Sequence, residues 1–372
     1  MNIFIDSLNN CIVACELQKK RGQTSSFRMQ FSYPLNTVSN KVKALTEFLG
    51  SDEAKTINKD DQISFILPDD VVFTGCMQFP PFLGRKLNDA FETKFKIWFP
   101  NFTEYFIDYS MYERNNLSSF MVYTISKTQQ LDELKRVLKG NNLDPKNIEY
   151  FSNLLTYDLD AKTNLVSAKL IFGTHSSELV FIKGKQILGR TLIHVGTNLL
   201  FDDTVYLDST YNINSVEAFK YATLHKLNFD TKDEISDEMI ERAEIDESFS
   251  ATKPREVRLL KDESLKNYCM KQLIRKLHSH ICDSLEIFGK SPWFFPIREI
   301  EVIGDERVLD LLNSVSGDND IKYVKSNITF ESLYNKKVTN NNLFSKTLKQ
   351  VERRKIDWQK FFSMEIGKKK KA

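Results

Sequence analysis

The chain has 372 residues, of which 41% are hydrophobic, enough for two or three domains of the usual size of about 100–200 residues. Its 52 basic and 50 acidic side chains leave a net charge of +2, which excludes the overall positive field that would mark a nucleic-acid-binding protein, so partners are argued from local features. The five cysteines form no CxxC pair, no apolar run is long enough to span a membrane, and no signal segment precedes the first strand, so we expect a cytosolic protein with reduced cysteines.

The first 81 residues predict a βββαβ unit followed by one more extended stretch. That stretch ends at Pro80 and Pro81, which cannot donate hydrogen bonds to a sheet. We therefore assign residues 1–81 to the N-terminal part of a first lobe. The predicted elements are strands at 2–5, 12–17, 26–33 and 62–67, with a helix at 39–49 before the last strand.

Residues 82–150 predict an inserted α-β-β-α subdomain. Its first helix is indicated by Leu87, Phe91, Phe95 and Trp98, which recur at the spacing of one helix face. The predicted elements are a helix at 83–99, strands at 102–111 and 118–125, and a helix at 129–138 that ends before Gly140.

Residues 151–337 begin with a second run of three strands, which repeats the opening of the chain. We assign them to a second lobe, interrupted near 228–262 by an acidic helical insertion that we interpret as a solvated helix or loop. The predicted elements are strands at 166–172, 178–183, 186–193 and 297–303, and helices at 216–226, 263–288 and 306–315.

Residues 338–372 predict a basic tail that contains an amphipathic helix at 341–366. Positive charge on one face of this helix and in the following lysine run is typical of helices that lie on anionic lipid. Docking of the helix onto the protein body, a solvated tail, and a flank of a following transmembrane segment are alternatives. The residues predicted to contact the membrane are Phe344, Leu348, Val351, Trp358 and Phe362.

The opening hairpin has the outline of a phosphate-binding turn. MNIFIDSLNNCIVACEL reads as a strand ending at Asp6, a polar turn and a second strand. Phosphate turns of this kind usually carry a glycine two residues after the aspartate, because a residue without Cβ lets backbone N–H groups approach the phosphate. Leu8 stands there, and Val13 stands where a lysine or polar residue would supply a second contact. We expect the hairpin to persist without efficient phosphate chemistry.

Several short motifs follow one another in a recognisable order along residues 1–335. They are IDSLNNCIVACEL at 5–17, MQFPP at 77–81, IDY at 107–109, LKGNNLDPKNIEY at 138–150, FGTHSSELVFIKGKQILGRTLIHVG at 172–196 and IREIEVIGD at 297–305. In this order they resemble the actin-like ATPase superfamily, and within it the PilM-like proteins of type IV pilus assembly. The cytoplasmic domain of GspL-type secretion proteins and, more distantly, FtsA-like cell-division proteins are related groups.

The resemblance implies an α/β fold of the actin-like, ribonuclease H-like type, with two lobes, a duplicated βββαβ core and the inserted subdomain. It also implies a site for ATP with Mg²⁺, but Ile171 replaces an acidic residue, and Val195 and Asp305 replace glycines. Phosphoryl transfer needs backbone donors, a metal held by carboxylates and a positioned water, so we predict a degenerate site with little or no hydrolysis. The residues predicted to hold a nucleotide are Asp6, Gly173, Thr174, Gly196 and Gly304.

The resemblance further implies a protein partner. PilM-like proteins bind the short cytoplasmic segment of an inner-membrane protein such as PilN in a cleft beside the inserted subdomain. Exposed strand edges or an aromatic groove would hold such a peptide through main-chain hydrogen bonds. The same helical spacing is typical of a core, so packing inside the subdomain is the alternative. The residues predicted to bind the partner are Phe91, Phe95, Trp98, Phe99, Phe102 and Tyr105.

The predicted function is therefore that of a cytoplasmic scaffold at the inner face of the membrane in a pilus or related secretion machine. No catalytic residue and no metal site is predicted, since the histidines lack a chelating spacing. An active ATPase or phosphotransferase of the same superfamily is one alternative. An FtsA-like tether, which would bind the membrane through the tail, is another, and self-association stays open.

Overall fold

In the computed structural model, the described residues are 1–16, 25–52, 54, 63–114, 117–160, 165–201, 204–206, 257–259, 263–290, 297–316 and 321–338. Of the predicted acidic insertion near 228–262, only residues 257–259 are among them. The predicted helix at 216–226 and all the predicted membrane-contacting residues lie outside them, the latter being Phe344, Leu348, Val351, Trp358 and Phe362.

The strands are numbered in chain order. They are β1 (Asn2–Asp6), β2 (Cys11–Glu16), β3 (Ser25–Gln30), β4 (Ser64–Leu67), β5 (Val72–Phe79), β6 (Tyr105–Arg114), β7 (Ser119–Lys127), β8 (Asn147–Tyr150), β9 (Val166–Phe172), β10 (Ser177–Lys183), β11 (Gln186–Ile193), β12 (Thr204–Tyr206), β13 (Val257–Leu259), β14 (Glu299–Ile303) and β15 (Lys322–Lys325).

The helices are α1 (Val38–Gly50), α2 (Arg85–Trp98), α3 (Thr128–Gly140), α4 (Thr197–Phe201), α5 (Glu263–Gly289), α6 (Glu306–Ser316) and α7 (Phe330–Tyr334). Within the described residues, the predicted helices and the longer predicted strands are present, with small differences at their ends. Sequence patterns missed β8, β12, β13, β15, α4 and α7, because segments of three to five residues are too short to display a period.

The two large sheets have the same topology. The first has the strand order β3-β2-β1-β4-β8 and the second has the order β11-β10-β9-β14-β15. In each sheet the first three strands pair antiparallel, and the last two are parallel to the central strand. This repetition confirms the predicted duplicated core and adds a fifth strand to each copy.

The predicted α-β-β-α order of the insert is present as α2, β6, β7 and α3, but its sheet and its packing extend beyond these four elements. A third sheet has the order β5-β7-β6, so β5, which was predicted to belong to the first lobe, pairs with the insert. Helix α2 covers this sheet with Leu87, Phe91 and Phe95, which lie one or two turns apart on its buried face. Helix α3 instead packs its leucines into the core of the first sheet. The exact domain boundaries stay a prediction.

The largest hydrophobic core is shared by the two large sheets. Ile171 and Val180 of the second sheet join the same cluster as the residues of β1 and β4. Leu333 and Tyr334 of α7 also pack into this cluster, although residues 151–337 were predicted to form the second lobe. The C-terminal end of the described chain therefore returns to the first sheet. A second core lies between the opposite face of the second sheet and helices α5 and α6.

Candidate functional site

The turns of the two equivalent hairpins lie against each other between the two large sheets. The first turn (residues 7–10) joins β1 to β2, and the second turn (residues 173–176) joins β9 to β10. The carbonyl oxygen of Leu8 accepts hydrogen bonds from the backbone N–H groups of His175, at 2.8 Å, and Ser176, at 3.2 Å. Two donors of consecutive residues therefore converge on one oxygen of the opposite turn.

The side chain of Asn9 adds a third hydrogen bond between the turns. Its Oδ1 accepts from the backbone N–H of Thr174 at 3.0 Å. Its own backbone N–H and its Nδ2 donate to the two carboxylate oxygens of Asp6, each at 2.9 Å. Asn9 is thus held by the end of β1 and itself holds the second turn.

The carboxylate of Asp6 lies inside the protein, with only 1% of the residue exposed. Besides its bonds from Asn9, it accepts a hydrogen bond from the hydroxyl of Tyr334 at 2.5 Å. Burial raises the pKa of Asp6, because surroundings of low dielectric disfavour the charged form. Asp6 therefore connects the first turn to α7 and has protein groups on both of its oxygens.

Two glycines at this junction are required by the backbone geometry. A Cβ on Gly173 would lie 2.4 Å from the carbonyl oxygen of Leu8, which is far inside van der Waals contact. Gly304 has a φ of 140°, a conformation that favours glycine, and a Cβ there would lie 2.4 Å from the carbonyl oxygen of Phe172. Gly196 also lies directly against the second turn.

The structure thus gathers the predicted nucleotide-binding residues around the second turn, but the donors there are engaged. The backbone N–H groups of Thr174, His175 and Ser176, which would cradle a phosphate, donate to the first turn instead. In this arrangement the residues do not fit a bound phosphate, and we derive no chemical step through a nucleotide. Nucleotide binding stays a prediction for Asp6, Gly173, Thr174, Gly196 and Gly304.

Across the described ranges, the His, Cys, Asp and Glu side chains form no group of three that could hold a metal ion.

A buried cluster of charged side chains also connects the two large sheets. Nη1 of Arg190 lies 2.8 Å from Oδ1 of Asp69 and 3.0 Å from Oε1 of Glu178. The hydroxyl and the backbone N–H of Ser152 donate to Asp69 as well, at 2.9 and 3.1 Å. One cation thus serves two buried carboxylates. Burial, reinforced by the charge of Asp69, raises the pKa of Glu178 well above its ordinary value of 4.5.

Sequence reasoning missed several residues of this junction. Asn9 had a recognisable signal, since an asparagine three residues after an aspartate in a polar turn is suited to bond that carboxylate. Asp69 and Tyr334 had none, because they meet Arg190 and Asp6 across 121 and 328 residues of the chain. Glu178 lies only 12 residues from Arg190, on the adjacent strand of a hairpin, and was not singled out from the sequence.

The predicted partner-binding residues divide into two groups. Phe91 and Phe95 lie in the core of the insert, each 1% exposed, and their rings pack against Tyr123 of β7. They cannot form a binding surface in this arrangement. The helical spacing from which they were predicted as a binding surface is the spacing of the buried face of α2. Trp98 is 53% exposed, and the half-buried members are Phe99, Phe102 and Tyr105.

An exposed apolar and cationic surface lies at the C-terminal end of α2. This insert patch consists of Lys94, Ile97 and Trp98, of which Ile97 is 71% exposed and was not singled out from the sequence. The ammonium group of Lys94 lies 5.0 Å from the centre of the Trp98 ring, within the range of a cation–π contact. The insert patch therefore combines a large aromatic surface with positive charge.

Comparison with known proteins gives a structural match and no sequence match. No protein-family model matches the chain, and no curated protein matches it. The solved PilM–PilN type IV pilus biogenesis complex is similar with a TM-score of 0.51 and 13% identity, over 89% of this chain and 92% of that chain. Together with the duplicated sheets, this likeness decides the fold. The chain has an actin-like fold.

Two further solved structures are similar with lower scores. The cytoplasmic domain of EpsL, an inner-membrane component of the type II secretion system of Vibrio cholerae, matches at 11% identity over 51% of this chain and 70% of that one, with a TM-score of 0.35. A Bacteroides thetaiotaomicron protein with an actin-like ATPase fold and unknown function matches at 8% identity over 93% and 94%, with a TM-score of 0.37. Among the described residues, each helix is too short or too polar to cross a membrane.

Proposed function

We propose that this protein is a cytoplasmic scaffold of a type IV pilus or related secretion machine. It stands at the inner face of the membrane and binds the cytoplasmic segment of an inner-membrane partner similar to PilN. The observation that carries the proposal is the likeness to the PilM–PilN complex, which extends over 89% of this chain and 92% of that one. The actin-like fold by itself does not specify a function, because one fold can serve many unrelated functions.

The insert patch is the surface that we assign to the partner. Exposed tryptophan is enriched among the residues that contribute most to protein–protein binding, because it buries a large area with few rotatable bonds. The three-stranded sheet has β5 and β6 at its edges, and Lys94 donates to the Gln78 carbonyl of β5 at 3.3 Å. An extended peptide adds to such an edge through main-chain hydrogen bonds. Lys94 favours a partner segment that carries acidic as well as apolar residues.

Little or no ATP hydrolysis is part of the proposal. Ile171 is fully buried at the end of β9, where a carboxylate would be needed to order Mg²⁺ and the attacking water. The donors of the second turn are bonded to the first turn. We expect purified protein with Mg–ATP to release phosphate no faster than buffer. Phosphate release that is abolished by Asp6→Ala would overturn this part and favour the ATPase alternative.

Partner binding is tested with a labelled synthetic peptide of the cytoplasmic segment of the host's PilN-like protein. Fluorescence anisotropy would give the Kd for wild type, Trp98→Ala and Ile97→Ala. We expect Trp98→Ala to weaken binding by roughly tenfold or more, the effect of removing one central contact residue. Ile287→Ala is the matched control, since Ile287 on α5 is as exposed as Ile97 and lies outside the insert. Equal affinities for the Trp98 and Ile287 variants would exclude the insert patch.

A further inference from the structure

We infer that the first turn is a built-in substitute for a bound anion, and that it latches the two large sheets together without a nucleotide. We call the hydrogen bonds from Leu8 and Asn9 to the second turn the latch. The inference goes beyond the proposed function, since it concerns how the scaffold is held together and not what it binds.

The second turn keeps the donor arrangement of a phosphate cradle. Backbone N–H groups of Thr174, His175 and Ser176 converge on one side of the turn, and successive N–H groups arranged in this way attract oxygen atoms with negative charge. Here those oxygens belong to the carbonyl of Leu8 and the side-chain amide of Asn9. The cradle is therefore filled by the same chain, and its donors are satisfied without a ligand.

The Leu8 carbonyl is held in place from the side of the first core. The side chain of Leu8 is buried in that core. A leucine at this position, where phosphate-binding turns usually have glycine, therefore anchors the turn. The next residues are also fixed. Asn10 has a φ of 53°, its Nδ2 donates to the carbonyl of Phe31 at 2.7 Å, and its Oδ1 accepts from the N–H of Leu35 at 2.8 Å. The turn therefore cannot withdraw without breaking several buried contacts.

The orientation of the Asn9 side chain is fixed by a series of hydrogen bonds on the side away from the second turn. Its Nδ2 donates to Asp6, which in turn accepts from the Tyr334 hydroxyl. Since an amide has one oxygen and one nitrogen end, this donation fixes the Oδ1 end toward Thr174. A residue of α7 thereby sets the orientation of the group that fills the cradle.

The close approach of the two turns at Gly173 is a second observation that supports the latch. The absence of a side chain at Gly173 is what allows the Leu8 carbonyl to enter the cradle, because a Cβ would lie 2.4 Å from that oxygen. Gly173→Ala should separate the turns while it leaves every backbone donor in place. Gly189→Ala in β11 of the same sheet is a matched control, since its Cβ would make only ordinary contacts, the nearest at 3.7 Å from Phe181.

The test is residue-resolved amide hydrogen exchange of the nucleotide-free full chain, with and without Mg–ATP. In wild type we expect slow exchange at Thr174, His175 and Ser176, and the same rates when Mg–ATP is present. In Gly173→Ala these amides should exchange about tenfold faster or more, the factor that corresponds to one lost hydrogen bond. In Gly189→Ala they should exchange as in wild type.

A second variant covers the case in which Gly173→Ala does not fold. Asn9→Ala removes the side-chain acceptor of Thr174 and should speed exchange at that amide by about tenfold. Asn313→Ala is its control, because Asn313 likewise bridges backbone groups, those of Tyr323, but far from the turns.

Two outcomes would overturn the inference. The first is a change in exchange at residues 174–176 when Mg–ATP is added to wild type. The second is unchanged exchange at Thr174 in Asn9→Ala.

Discussion

The guanidinium of Arg190, on β11 of the second sheet, lies 2.8 Å from the carboxylate of Asp69, which follows β4 of the first sheet. Both side chains are almost completely buried, and the second terminal nitrogen of Arg190 also donates to the backbone carbonyls of Asp69 and Val72. This ion pair and the latch are two separate polar connections between the same pair of sheets.

Replacement of Arg190 should strongly destabilise the protein. Arg190→Met keeps most of the side-chain volume but leaves Asp69 and Glu178 without their cation in a buried place. Removing one partner of a buried ion pair usually costs about 3–5 kcal/mol. Urea unfolding followed by circular dichroism would measure the loss in the free energy of unfolding.

The control for this prediction is an exposed arginine. Arg307 bonds Asp305 at 2.6 Å, but it lies in solvent, so Arg307→Met should leave the unfolding midpoint unchanged. Similar midpoints for the two variants would show that Arg190 does not hold the sheets together.

Ionisation of Glu178 should lower the free energy of unfolding as the pH rises. Its pKa is raised above the ordinary 4.5 by burial and by Asp69, so the folded state disfavours the ionised form. Its contribution to stability is complete below pH 4.5 and is lost as the pH rises toward the raised pKa. We therefore expect wild type to lose stability relative to Glu178→Gln between pH 5 and pH 8, as measured by urea unfolding.

The difference between the two proteins isolates Glu178 from other carboxyls. Burial also raises the pKa of Glu149, to about 7, and that group contributes the same trend to both proteins. A difference that is constant from pH 5 to pH 8 would show that Glu178 is ionised in the folded protein throughout that range.

Tyr334→Phe should weaken the support of the latch. The change removes the hydroxyl that donates to the buried Asp6 and leaves a carboxylate oxygen with one partner fewer. A lost hydrogen bond to a buried charged group costs about 1.5–3 kcal/mol. Tyr33→Phe is the control, because the Tyr33 hydroxyl bonds Glu47 at the surface. Thermal unfolding midpoints would be compared, and a larger decrease for the Tyr33 variant would contradict the prediction.

Substitutions of Phe95 and Trp98 should have different effects on stability, because Phe95 is a core residue and Trp98 belongs to the proposed binding surface. Phe95→Ala empties a buried position under α2 and should cost about 3–5 kcal/mol of stability. Trp98→Ala removes an exposed ring, and we expect the unfolding midpoint to stay close to that of wild type. Differential scanning fluorimetry of both variants would check this, and a large loss for Trp98→Ala would mean that the ring is structural.

Much of the fold could be predicted from the sequence. The helices α1, α2 and α3 carry apolar residues at helical spacing, and the strands of each hairpin unit carry short apolar runs or, as in β3, apolar residues at alternate positions, so local pattern was sufficient. The duplicated core also followed from the order of these elements. The pairing of β5 with β7 could not be predicted, because nothing in a single strand specifies which neighbour it will have.

The sequence by itself determined where the actin-like motifs lie and which of their chemical residues are missing, since Leu8 and Ile171 can be recognised by side chain alone. Only the tertiary structure decided what fills the cradle of the second turn. The group that does so is the carbonyl of Leu8, and a backbone carbonyl is present in every residue type. Its position depends on how two turns 165 residues apart in the chain are packed, as the bond from Thr174 to Asn9 also shows. Contacts of this kind leave no local pattern in the sequence.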